Sequence, residues 1–157
     1  MSDLVIGIDI GTGSTKGVLS DTDGNVIHSE VVRHETSFPR PGWAEHDPDD
    51  TWWKDVVEIC RRLTARAKGD VAGLCISGIV PVFLAADERG QGLRPAILYG
   101  VDTRSAKEID ELTERYGSDK ILEVCGHHMT SQSVGPKIEW LTRNEPDVWA
   151  RTKRFLM

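Results

Sequence analysis

Apolar residues run from Leu4 through Ile8 and reach one carboxylate, Asp9. Small residues follow, and a second apolar run leaves through Val18 and Leu19. Short β-branched runs parted by turn residues predict strands over 3–10, 15–21 and 25–34. Asp23-Gly24-Asn25 makes the second hairpin turn. The third strand alternates unevenly and reads as a sheet edge. Residues 35–48 hold three prolines and a glycine and read as an ordered loop. Asp49 or Asp50 then caps a helix with a stripe of Trp53, Val56, Val57, Cys60, Leu63 and Ala67, closed by Gly69. Val71 to Ser77 is almost wholly apolar, as expected of a strand buried in a parallel pairing.

Further on, Val80 to Ala86 predicts a strand and Pro95 to Tyr99 an extended segment. Ser105 to Tyr116 reads as a helix with Ala106, Ile109, Leu112 and Tyr116 on one face. Ser118 is expected to cap a short helix to Cys125. Pro136 opens another helix carrying Ile138 and Leu141, and Asn144-Glu145-Pro146 starts the last, to about Lys153. Three hairpin-joined strands, a crossover helix and a returning strand predict an α/β fold with a mixed sheet.

The first bend carries the most chemistry. Gly11, Thr12, Gly13, Ser14 and Thr15 combine permissive backbone with three hydroxyls, and Lys16 adds a cation. Amides turned into one concavity make an anion site. Asp9 beside it is a hard oxygen ligand suited to hydrated Mg²⁺. The Walker-type phosphate loop and the dinucleotide fingerprint both need a helix after their glycines. Here a strand follows, then the turn at Asp23-Gly24. An ordinary hairpin tip is the bland alternative, but it calls for Asn-Gly or Asp-Gly rather than three hydroxyls and a lysine.

Asp9 to Lys16 resembles the first phosphate motif of the actin/Hsp70/sugar-kinase superfamily. Pro41-Gly42-Trp43, Glu45, Asp47-Pro48 and Trp52-Trp53 resemble a segment of its FGGY carbohydrate kinase branch. Ile76-Ser77-Gly78, Arg94-Pro95, Asp102-Thr103-Arg104 and Pro136-Lys137…Trp140-Leu141 follow in that family's order. The resemblance implies a ribonuclease-H-like (actin-like ATPase) fold, a mixed five-stranded sheet flanked by helices. It implies ATP and Mg²⁺ as cofactors: Gly11 to Lys16 at the nucleotide phosphates, and Asp9 at the metal. It implies transfer of a γ-phosphoryl group to a sugar, with a ketopentose such as xylulose the first expectation. Asp102 and Arg104 are then sugar-side candidates that could bracket vicinal hydroxyls, or else a local ion pair beside the Ser105 helix. Trp43 either stacks on the sugar or anchors its loop. Where xylulokinases read Gln-Met-His and glycerol kinase Gln-Arg-Glu, this chain has Ile79, Val80 and Pro81, so Val80 and Pro81 sit at a substrate position without a side-chain hydrogen-bonding group. The family's general base lies downstream, so no catalytic base is expected in residues 1–157. An actin- or Hsp70-like ATPase switch and a kinase that binds without turnover remain the other readings.

At 157 residues, 39% hydrophobic and 28% charged, the chain suits one globular domain. A net charge of −6 argues against nucleic acid or an anionic membrane as partner. Three widely spaced cysteines, an odd number, fit reduced thiols, and no basic-then-apolar leader opens the chain, so a cytoplasmic location is expected. Cys125, His127 and His128 lack a fourth ligand at metal spacing and read as a polar helix end. The apolar ending at Phe155-Leu156-Met157 reads as a strand just begun. The expectation is therefore an N-terminal domain of a longer kinase, without its nucleotide-side half. Apolar surface left open by such a cut favours self-association, a homodimer being the simplest form.

Overall fold

The computed structural model describes residues 3–157. In chain order the elements are β1 (Leu4–Ile10), β2 (Ser14–Asp21), β3 (Val26–Arg33), β4 (Glu45–His46), a π-helical turn (Pro48–Trp53), α1 (Lys54–Thr64), β5 (Val71–Gly78), β6 (Leu84–Ala86), β7 (Ala96–Ile97), α2 (Ala106–Tyr116), α3 (Ser118–Cys125), α4 (Val134–Asn144), α5 (Pro146–Arg151) and β8 (Arg154–Leu156). They fall into two compact units. One runs through Thr36 and resumes over Asp47–Ile79; the other holds Ser37–His46 and Val80–Met157.

The first unit is built on a mixed sheet in the order β3-β2-β1-β5, with β3 at an edge as its uneven alternation predicts. β1 is antiparallel to β2 and parallel to β5, so Lys16 and Ser77 flank Asp9 on its two sides. Leu4, Ile6 and Ile8 alternate onto one face and join Leu19 against Val56, Ile59 and Leu63 of α1. Gly17 sits where that helix crosses: a Cβ there would lie 2.3 Å from Ile59 Cγ2 and 3.1 Å from Leu63 Cδ1. Gly24, at φ +87°, makes the hairpin turn, and Asp21 Oδ1 accepts the amides of Asp23 and Asn25.

Several expectations shift. The helix cap is Asp47, not Asp49 or Asp50: its Oδ1 accepts both of those amides at 2.9 Å. The first turn is π-wound, which rotates the inward stripe to Asp55, Val56, Ile59 and Leu63 and leaves Trp53 63% exposed. α1 also ends at Thr64, before Gly69, with the Thr64 hydroxyl donating back to the Cys60 carbonyl. β5 is paired as expected but not buried: Leu74 and Ile76 are 51% and 47% exposed, because α1 packs mainly on β2 and β3. The main sheet has four strands rather than five. Residues 80–86 yield only the three-residue β6, since Pro81 has no amide to give a ladder.

In the second unit β6 pairs with β8 and β4 with β7, both antiparallel. Its core gathers Phe83, Ala85, Ile97, Trp140 and Leu141, with Trp43, Val134 and Ile138 against it. Trp149 of α5, by contrast, is 40% exposed. The most buried residue of α2 is Glu108, and Tyr116 of the expected apolar face is 57% exposed. Gly117, at φ +82°, precedes α3, so Ser118 does not cap it; its hydroxyl instead shares a 3.0 Å hydrogen bond with His128 Nδ1. α4 begins two residues before Pro136, and α5 stops at Arg151.

The close passage of α1 over Gly17 yields the first prediction. Gly17→Ala should lower the unfolding free energy by about 2 kcal/mol, as overpacking typically does. Gly13→Ala, where an added Cβ meets nothing within 4 Å, should change it by no more than about 0.5 kcal/mol. Urea denaturation of the two variants checks this.

Candidate functional site

The bend between β1 and β2 is closed by the Gly11 amide donating to the Ser14 carbonyl at 2.9 Å. Each carbonyl of the next three peptides is taken by a donor. His34 Nε2 is 3.1 Å from the Gly11 carbonyl, the Thr36 hydroxyl 3.3 Å from that of Thr12, and the His34 amide 3.2 Å from that of Gly13. Among the described residues, the amides of Thr12 and Gly13 have no protein acceptor. A peptide's N–H and C=O point opposite ways, so tying back the carbonyls turns amides outward, the polarity an anion site needs. Neither Gly11 nor Gly13 has positive φ. Close approach favours glycine at position 11, since a Cβ would sit 3.0 Å from the Ser14 carbonyl oxygen.

Thr15 departs from its expected role. It is fully buried, and its hydroxyl donates to Asp55 Oδ2 at 2.9 Å, away from the bend. Strand alternation explains this: Thr15 shares the α1-facing side with Gly17 and Leu19, while Ser14 and Lys16 take the other. Asp9 and Lys16 lie opposite one another on that open face. With Gly7, Val18, Cys75 and Ser77 they line a shallow cavity of about 310 Å³. Asp9 makes no ion pair or hydrogen bond among the described side chains. A solvent-facing carboxylate without a protein partner, beside outward amides, has the hard-oxygen chemistry that would suit a hydrated Mg²⁺.

The second unit brings the expected sugar-side residues together in a different way. Asp102 is fully buried. Its Oδ2 accepts the Ala44 amide at 2.7 Å and Arg104 Nη2 at 2.7 Å, and its Oδ1 accepts Arg104 Nε at 3.0 Å and the Arg104 amide at 3.1 Å. Arg104 Nη1 lies 2.8 Å from Glu45 Oε1, an ion-pair contact without hydrogen-bond alignment. Trp43 covers the guanidinium at 3.9 Å and Trp140 at 5.0 Å, with the two indoles edge-on at 5.2 Å. Arg94 extends the cluster, pairing with Glu45 at 2.5 Å and Glu145 at 2.8 Å. Asp102 is therefore satisfied by Arg104 and the Ala44 amide, Nη1 of Arg104 keeps only its ion-pair contact with Glu45, and Trp43 anchors its loop over them.

A cavity of about 610 Å³ opens in the same unit, lined by Pro81, Ile121, Cys125, His127, His128 and neighbouring residues of 129–136. Pro81 is the one expected sugar-side residue on its wall; Val80 is 66% exposed. Lys137, at the start of α4, is fully buried. Its Nζ donates to the carbonyls of Ser131 and Ser133. Burial pushes its pKa down to about 8, partly opposed by the nearby Asp102 charge.

Sequence reasoning missed three contributors: His34 and Asp55 beneath the bend, and Glu45 between the two arginines. Glu45 was visible as an acid inside an otherwise loop-like Pro-Gly-Trp segment. His34 and Asp55 stand 21 residues apart, and no spacing rule joins a strand end to a helix first turn.

Residues 4–157 match the FGGY family of carbohydrate kinases, N-terminal domain. The chain is 32% identical to a xylulose kinase of Lactococcus lactis over 98% of its own length and 30% of that relative's. It is 32% identical to a glycerol kinase of Beutenbergia cavernae over 92% of its length and 29% of that protein's. It superposes on the crystal structure of xylulose kinase from Rhodospirillum rubrum with a TM-score of 0.90 at 34% identity, covering 97% of this chain and 31% of that one. The chain thus spans about a third of the length of these relatives.

Two predictions concern the buried charges. Asp102→Ala strands the Arg104 guanidinium and should cost roughly 3–5 kcal/mol in urea unfolding. Lys137 is depressed in the folded state from 10.5 to about 8, so between those pH values the unfolded chain holds more proton. Stability should therefore rise with pH across that window. Lys137→Met should flatten this rise, seen as the wild-type minus variant difference in unfolding free energy against pH.

Proposed function

Because the chain belongs to the FGGY family of carbohydrate kinases, we propose that it is the N-terminal, phosphate-gripping part of an ATP-dependent sugar kinase. The observation that carries this is the β1–β2 bend, whose carbonyls are held back while the Thr12 and Gly13 amides stay open beside Asp9 and Lys16. Those amides and the Ser14 hydroxyl receive the nucleotide phosphates, and Lys16 adds positive charge. Asp9 would hold a Mg²⁺, which would offset negative charge on the nucleotide phosphates. Closing the site against water and supplying a general base for the sugar hydroxyl fall to residues outside this chain.

The acceptor we favour is a ketopentose such as xylulose, supported by relatives named as xylulose kinases. The cavity walled by Pro81 and 127–136 is the candidate place for it. Ile79, Val80 and Pro81 offer no side-chain donor or acceptor, so hydroxyl recognition there rests on backbone and on the His127–Ser133 wall. A cytoplasmic protein, with self-association through the exposed strand β5, completes the reading. No helix among the described residues is long and apolar enough to cross a membrane.

Two measurements test it. Adding Mg-ATP to the isotopically labelled chain should shift the Thr12 and Gly13 amide resonances, and Asp9→Asn should weaken the Mg²⁺-dependent part about tenfold, the order expected for a lost charged contact. Unmoved amides at millimolar Mg-ATP sink the phosphate assignment. The protein that carries this chain should phosphorylate a ketopentose when screened with ATP against ketoses, polyols and aldonates. ATP hydrolysis stimulated only by a protein partner, with no sugar product, would favour a switch ATPase instead.

A further inference from the structure

Under the bend, the ring that meets the Gly11 carbonyl belongs to a buried polar pair. His34, at the end of β3, has a side chain only 7% exposed, and that of Asp55 on α1 is 6% exposed. Nδ1 of His34 is 2.7 Å from Asp55 Oδ2, and Nε2 is 3.1 Å from the Gly11 carbonyl oxygen. Both ring nitrogens therefore face oxygens. A peptide carbonyl is an acceptor only, so Nε2 must carry a hydrogen. The Asp55 oxygen already accepts the Thr15 hydroxyl at 2.9 Å. Two bare atoms facing each other at 2.7 Å would repel, so a second proton lies between Nδ1 and Oδ2. Oδ2 thus faces two donors at once, the role of an ionised carboxylate, which places that proton on the ring.

From this geometry we infer that His34 is a doubly protonated positioning residue, an imidazolium locked by Asp55, that fixes the phosphate-binding bend by donating to the Gly11 carbonyl. The pair exchanges no net charge with the bend, because the carboxylate balances the ring. It contributes direction. Beside an ionised Asp55, a neutral imidazole could donate to Gly11 or to Asp55 but not to both. The backbone of the same residue holds the Gly13 carbonyl, and Thr36, two residues on, holds that of Thr12. One short segment thus grips the outer face of three successive peptides, and Asp55 ties that segment and Thr15 to α1. The role as a phosphate positioner rests on the reading of the bend as a phosphate site; the protonation state does not.

The test begins with the wild-type 157-residue chain, by ¹⁵N NMR of the histidine rings at neutral pH. His34 should show two protonated ring nitrogens, and a bare nitrogen at either position overturns the proposal without any variant. His34→Gln should shift the Gly11 carbonyl ¹³C resonance and weaken binding of magnesium tripolyphosphate, read from the Thr12 and Gly13 amides, by about tenfold. An unmoved Gly11 carbonyl together with unchanged affinity overturns the positioning role. If the wild type binds no tripolyphosphate, the phosphate reading itself has failed, and the ring spectrum and Gly11 resonance still decide whether His34 shapes the bend.

Discussion

Peptide polarity at one bend governs the first unit. A strand-to-strand turn normally satisfies its own groups or leaves them to water. Here the carbonyls of Gly11, Thr12 and Gly13 are engaged by His34 and Thr36. The donors come from the end of β3, so the bend keeps its shape only while β3 stays in register with β2. That register and the packing of α1 are linked through Gly17, whose missing side chain lets Ile59 and Leu63 approach the sheet. With the helix that close, Asp55 in its first turn reaches both Thr15 and His34. Backbone shape, helix packing and the buried His34–Asp55 contact therefore depend on one another.

The second unit solves another problem, the burial of charge. Two arginines and three carboxylates meet around the indoles of Trp43 and Trp140. A lone buried ion is expensive, but a guanidinium that is paired in its plane and covered on its face by aromatic rings meets its donors and its quadrupole partner together. The cluster ties the 37–46 loop to the segment that leads into α2, with Gly42, at φ +77°, turning the chain where a Cβ would come within 2.6 Å of Thr103 Oγ1. Lys137 stands apart: its partners are carbonyl dipoles rather than a carboxylate contact, so desolvation dominates and its proton is held more loosely.

These two solutions divide the family-typical residues into different duties. Asp9, Gly11, Thr12, Gly13, Ser14 and Lys16 stay at an open surface. Asp102, Arg104 and Trp43 are consumed by the fold. A residue type that could serve a ligand serves the structure when its partners are already within reach, and burial tells the two apart where spacing does not. Thr15 shows the same rule on a single strand, being one alternation step from both Ser14 and Lys16.

Local sequence settled much of this protein. Short β-branched runs marked β1, β2 and β3, an apolar run marked β5, Asp-Gly marked the hairpin, and the strand following the glycine-rich bend excluded helix-based phosphate loops, because these signals act over a few neighbouring residues. Tertiary structure decided what depends on distant partners. It withdrew Thr15 and the Asp102–Arg104 pair from solvent. It also brought His34 of β3's end and Asp55 of α1 together beneath Gly11. The physical reason is common to all of them: a side chain's hydrogen-bonding capacity is written in its identity, but which donor or acceptor fills it is set by packing across the chain.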